Sequence, residues 1–165
     1  MEIVVQWQKP ILVAKHKKLC IDVDRLPDQI EQRAGVYFFS RRFGCMYEPF
    51  YIGESGRVRG RLRSHVKSAS IMDVLRGIPI KGFKGIKSGE RYFHVGYVKT
   101  KPGQSMPKCL NIVQRYLIED AMAQNMTLLN HQLTVIRTHD LKFVGKKAGR
   151  GIYKRAAKVR ITKGE

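Results

Sequence analysis

The sequence predicts a mixed α/β domain of the α+β kind, and three observations predict it. Two aromatic and β-branched runs, Val36-Tyr37-Phe38-Phe39-Ser40 and Phe50-Tyr51-Ile52-Gly53, flank a loop carrying Gly44 and Pro49, which is the pattern of a β-hairpin. A third run, Tyr92 to Val98, has the same strand character. Two segments, Arg57 to about Leu75 and Lys108 to about Met126, repeat with helical period.

Taken in order, residues 1–33 read as an amino-terminal extension. Glu2 to Trp7 and Leu19 to Val23 are short strand candidates, with the basic stretch Lys15-His16-Lys17-Lys18 between them. Pro27 to Gln32 reads as one helical turn ending at Gly35. On the first long helix Val58, Leu62, Val66 and Ala69 form an apolar stripe, and Arg57, Arg61 and His65 form the neighbouring row. Gly77 to Gly89 is a Gly- and Lys-rich loop, and Lys101 to Pro107 is another. From Lys142 the chain turns strongly basic, with nine cations against Glu165 alone, and residues 132–165 read as a basic carboxy-terminal extension.

Charge narrows the function. Lys and Arg total 32 and Asp and Glu 13, a net charge of +19 in 165 residues. Such a surplus leaves most of the surface positive and attracts polyanions, of which nucleic acid is the commonest. At 43% hydrophobic residues the chain is a folding sequence and not a disordered tail. Cys20, Cys45 and Cys109 are isolated and odd in number, which argues against a zinc site or a disulfide framework and fits a reducing cytoplasm. No apolar run has the length of a membrane span, and Met1 to Pro10 has neither signal- nor transit-peptide character.

Three features carry chemistry. Tyr51-Ile52-Gly53 ends a strand in glycine before a helix, which lets backbone approach whatever sits at that edge. Arg57, Arg61 and His65 align cations suited to a phosphate. Glu119 falls in a helical stripe with Ile112, Tyr116 and Ala123, where a carboxylate needs a metal ion or an Arg as partner; Asp120 lies at the margin of that stripe. Taken singly, each also has a plain structural reading: core aromatics, a solvated helix face, a paired acid.

In order along the chain stand Gly35-Val36-Tyr37, Tyr51-Ile52-Gly53, Arg61 ten residues after Tyr51, His65, the helical Glu119, and Asn130 eleven residues later. This series, over about residues 34–131, resembles the GIY-YIG nuclease superfamily, which includes an excision-repair nuclease domain, homing endonucleases and type II restriction enzymes. The run Tyr51 to Leu62 looks like its core segment. Gly151-Ile152-Tyr153 spells the first motif literally, but no Tyr-Ile-Gly follows it.

The resemblance implies an antiparallel sheet of about three strands flanked by helices, and a metal-dependent endonuclease acting on DNA, double-stranded for preference. It implies Mg²⁺ or Mn²⁺ on Glu119, with Arg61 on the scissile phosphate. Tyr37 would be the general base, its phenol lowered by nearby cations. Tyr51 and His65 would orient the water or assist the proton, Asn130 would brace the site, and Gly35 and Gly53 would serve as motif glycines. DNA contacts are expected from Arg57, Arg59, Arg63, Lys146, Lys147, Arg150, Lys154 and Arg155. A restriction-type or mobile-element enzyme is the expected role. The alternatives are a repair nuclease, an RNA-directed nuclease and a non-catalytic nucleic-acid binder.

Overall fold

Aromatic and β-branched residues dominate the segments that pair in the computed structural model, as their fit to a pleated, half-buried surface requires. In chain order the elements are β1 (Val4–Trp7), β2 (Ile11–Lys15), β3 (Lys18–Leu19), β4 (Gly35–Phe43), β5 (Met46–Ser55), α1 (Val58–Lys67), α2 (Ala69–Leu75), β6 (Glu90–Lys99), α3 (Met106–Ala123), β7 (Ile136–Lys142) and β8 (Ala156–Thr162). The structure describes residues 2–22, 24–80, 83, 89–130, 136–142 and 156–162, the last two segments by backbone alone. The chain divides into two units, Met1–Asn130 and His131–Glu165.

The first unit is α+β. Its six strands form one antiparallel sheet in the order β3-β2-β6-β4-β5, and β1 joins β2 along the same edge of β6. The sheet is thus larger than the three strands expected. β4, β5 and β6 answer to the three aromatic runs, and residues read as an extension supply the rest. Ile11–Lys15 was the strand the sequence reading missed; it turns through His16 and Lys17, both left-handed at φ 46° and 67°, into β3. Of the expected Leu19 to Val23 strand only Leu19 pairs, in β3; Cys20, Ile21 and Asp22 are not in a strand, and Val23 lies outside the described residues.

The hairpin of β4 and β5 turns at Gly44, so Pro49 sits within β5 and not in the loop. It lies where the register slips after Phe39, a position that tolerates the missing N–H. The segment from Arg57 to Leu75 is two helices, because Ser68 adopts an extended conformation, φ −79° and ψ 124°, between them. Val58, Leu62 and Val66 are buried as the stripe predicts, while Ala69 is exposed.

The two faces of the sheet are covered by different helices. Tyr37, Phe39, Phe93 and Val95 share a core with Val58, Leu62 and Val66 of α1 and with Ile71, Val74 and Leu75 of α2. Val36 and Val98, of opposite strand parity, pack with Cys109 and Leu110 of α3, and Val113 and Leu117 lie against them. β5 forms one edge of the sheet. The second unit holds an antiparallel pair, β7 with β8, in register from Ile136 opposite Thr162 to Lys142 opposite Ala156. No helix among the described residues is long and apolar enough to cross a membrane.

Candidate functional site

Strand register brings the two tyrosines together. Tyr37 lies opposite Gly53 and Phe39 opposite Tyr51 across β4 and β5, so both tyrosines project to the α1 side. Their rings stand 6.4 Å apart and nearly parallel. Gly53 is required by this packing: a Cβ there would come within 2.5 Å of Tyr37 Cζ. Gly35 is required too, since its Cβ would stand 2.6 Å from the Gly96 carbonyl oxygen.

From above, α1 closes the cluster. Arg61 and His65, one turn apart, both reach Tyr37. The Tyr37 hydroxyl is 2.6 Å from His65 Nε2, and Arg61 Nε donates to the same oxygen at 3.4 Å. The His65 ring meets Tyr51 edge-on at 4.9 Å. Tyr37 is 1% exposed and His65 6%, whereas Arg61 lies at the surface. The cluster is thus a buried phenol–imidazole pair capped by one exposed guanidinium.

Electrostatics correct one expectation. Burial, reinforced by the neighbouring Tyr51, pushes the Tyr37 phenol up, and Arg61 opposes this without overcoming it. The phenol is therefore protonated at neutral pH and is not a ready base. Burial, and then the Arg61 charge, lowers His65 to about 4, so its ring is neutral. The two states are complementary: Tyr37 O–H donates to His65 Nε2, which leaves the imidazole proton on Nδ1.

Asn130 takes a bracing position. Its Oδ1 accepts from the Ile52 N–H at 2.9 Å and its Nδ2 donates to the Ile52 carbonyl at 2.5 Å. With the Leu129 N–H on the Phe50 carbonyl at 2.6 Å, this segment closes the free edge of β5 beside Tyr51 and Gly53.

Glu119 stands at an exposed position of α3. The stripe that carried the expectation is the solvent face of α3, with Ile112 40% and Tyr116 65% exposed and Glu119 exposed beside them. The buried arc holds Cys109, Leu110, Ile118 and Ala121, and at 3.6 residues per turn Glu119 stands roughly 180° from its centre. Asp120 is also exposed and accepts from Gln124. The α3 side chain that reaches β5 is Gln114, whose Nε2 is 3.5 Å from the Ile52 carbonyl. Mg²⁺ and Mn²⁺ need charged oxygen ligands, and neither acid of α3 is buried. Nor does any group of three or more His, Cys, Asp or Glu among the described residues have metal-binding geometry. Glu119, an exposed carboxylate, has the chemistry to hold a divalent ion.

Arg59 was expected on DNA, yet its guanidinium donates to the carbonyls of Leu26, Pro27 and Ile30 at 2.7–3.0 Å. It fastens a loop. Arg57, at the N-cap of α1, is exposed one turn before Arg61, and Arg63 is exposed on another side of α1. Lys146, Lys147, Arg150, Lys154 and Arg155 lie outside the described residues. A cleft of about 430 Å³ lined by Arg41, Glu48, Pro49, Phe83, Gln124 and Asn125 contains none of the cluster residues. The buried face of α3 had a signal in the sequence, the apolar set Leu110, Val113, Leu117 and Ala121, which competes with the stripe through Ile112. Comparison with protein-family models, curated proteins and solved structures finds no match to this chain.

Proposed function

We propose that this chain acts on DNA as an endonuclease of the GIY-YIG kind, holding a backbone phosphodiester at Arg61 and cleaving it beside the Tyr37–His65 pair. The observation that carries this reading is the Tyr37 oxygen, held between His65 Nε2 at 2.6 Å and Arg61 Nε at 3.4 Å at a strand edge. Supporting it are the net charge of +19 and the exposed Arg57, one helical turn before Arg61.

In this reading a phosphate binds Arg61 and screens its charge. The Arg61 charge is one of the two influences that lower His65, so screening lifts the imidazole toward the range in which it accepts a proton. Water then attacks phosphorus and gives its proton to the Tyr37 oxygen as the Tyr37 proton passes to His65 Nε2. The phosphorus–oxygen bond to the leaving 3′ oxygen breaks, and that oxygen takes a proton from solvent. Arg61 stabilises the charge that develops on the phosphoryl oxygens. Tyr51 packs on the imidazole edge and keeps it aimed, and Asn130 fixes the strand edge that carries Tyr51.

A second reading is a non-catalytic DNA binder, which the net charge of +19 supports equally well. Incubating the full chain with supercoiled plasmid and Mg²⁺ separates the two. Nicked or linear product that disappears in Arg61→Ala supports the endonuclease. A stable complex with intact plasmid supports the binder.

A further inference from the structure

We infer that the face of the sheet turned away from the Tyr37 cluster is a stacking surface for the unpaired bases of a DNA strand, carried by Trp7, Phe38, His94, Tyr47 and Tyr92. The inference stands without the cleavage reading, because it uses the other side of the sheet. Strand parity sets it up. Tyr37 and Phe39 point toward α1, so Val36, Phe38, Ser40 and Arg42 point the other way, and their β6 partners are Gly96, His94, Tyr92 and Glu90. At one end of this face α3 packs over Val36 and Val98. The rings lie beyond it and belong to neither apolar core of the first unit. They form a continuous row. Trp7 meets Phe38 edge-on at 5.6 Å, and Phe38 stacks on His94 at 4.1 Å with 12° between the planes. Tyr47 stands edge-on to His94 at 4.7 Å and to Tyr92 at 5.3 Å.

The row is open and its border is cationic. Trp7 lies across the place a Gly96 side chain would take, its Cε3 only 3.0 Å from where that Cβ would stand, and the residue is still 45% exposed. Phe38, Tyr47 and Tyr92 are half-buried, and the buried Ser40 Oγ fixes the His94 ring from 2.8 Å. The exposed Arg42 guanidinium stands 6.0 Å from the centre of the Tyr47 ring, and Lys9 is exposed two residues beyond Trp7. Glu90, the carboxylate at the Arg42 end, is neutralised by Lys15 at 3.0 Å. An apolar protein segment would use the rings and leave the cations idle. An unpaired DNA strand uses both, base on ring and phosphate on guanidinium. Duplex DNA keeps its base faces in its own stack, so the rings select a single strand.

Trp7 is the one tryptophan in the chain, so the intrinsic fluorescence of the full chain reads this face directly. The probe is a thymidine oligomer of about 12 nucleotides, set against an abasic oligomer with the same number of phosphates. Wild type should bind the thymidine oligomer at least about tenfold more tightly and with quenching of Trp7, because stacking one base changes affinity by about five- to hundredfold. Trp7→Leu should bind the two oligomers within about threefold of each other, since phosphate attraction is all that is left. If that variant fails to fold, the wild-type comparison decides alone. Equal wild-type affinity for the two oligomers would overturn the inference. So would Trp7 fluorescence unmoved at saturating thymidine oligomer, which places the bases elsewhere. Dimers of wild type that come apart in Trp7→Leu would also overturn it, by giving the rings to a second copy of the chain. The cleavage reading fails separately: plasmid left intact by wild type sinks it whatever the oligomers show.

Discussion

Tyr37 is fixed by neighbours on three sides: Gly53 across the strand pair, His65 and Arg61 on α1, and Tyr51 beside it. Substituting Gly53→Ala forces a methyl group against the Tyr37 ring, since its Cβ would lie 2.5 Å from Cζ. A loss of about 1–3 kcal/mol is expected by chemical denaturation, as for other overpacked sites. The loss should shrink in the double variant with Tyr37→Leu, and an additive result would show that the contact is not the cause. These residues were legible in the sequence because short-range rules place them. Strand parity sets Tyr37 and Tyr51 on one face, and spacing of four sets Arg61 and His65 on one side of a helix. The stripe through Ile112 and Tyr116 was misread as a buried face because α3 offers two apolar stripes, and only packing against Val36 and Val98 selects between them. The rise of the Tyr37 phenol was illegible for a related reason: burial outweighs a neighbouring cation, and burial is set by the whole core.

At the scale of elements, the segment before β4 positions the site helix. The Val58 N–H donates to the Arg33 carbonyl, the Gly60 N–H to Gln32 Oε1, and Arg59 to three carbonyls between Leu26 and Ile30. The Glu31 N–H donates to the Tyr97 hydroxyl, which ties the same loop to β6. Arg59→Ala should therefore cost roughly 2–4 kcal/mol of stability, because several charge-assisted hydrogen bonds go at once. DNA affinity of the folded fraction should stay within about twofold of wild type. A large affinity loss with unchanged melting would instead return Arg59 to the DNA surface. The sequence made the hairpin, β6 and α3 visible through periodicity. It hid the role of residues 1–33, since pairing of β1 and β2 with β6 joins positions some eighty residues apart, and no local pattern records that.

For the molecule as a whole, two properties follow from charge and burial. Burial lowers both His65 and His94 to about 4 from the ordinary 6.5, so each is neutral when folded and takes up a proton on unfolding. This contribution to stability is complete above about pH 6.5 and is lost as pH falls from there toward 4. Melting temperature should drop across that window, and His94→Gln should flatten the drop; a flat profile in wild type would contradict the burial of both rings. The second property is the charge of +19. If the carboxy-terminal cations grip DNA backbone, changing Lys146, Lys147, Arg150, Lys154 and Arg155 to Gln should reduce the slope of log affinity against log salt by up to about 4. An unchanged slope would assign those cations to another task. Composition made this global property plain, while the β7–β8 pair escaped notice because its strands are masked by the basic residues among them.

The most direct test of the central claim is cleavage of supercoiled plasmid by wild type and Tyr37→Phe at matched DNA occupancy. The substitution keeps the ring that packs on Tyr51 and Phe93 and removes only the hydroxyl shared by His65 and Arg61. A proton relay through that hydroxyl predicts cleavage by wild type and a loss of about 10²–10⁴ in rate for Tyr37→Phe, with binding retained. Equal rates for the two proteins, or no cleavage by wild type at full occupancy, would contradict it.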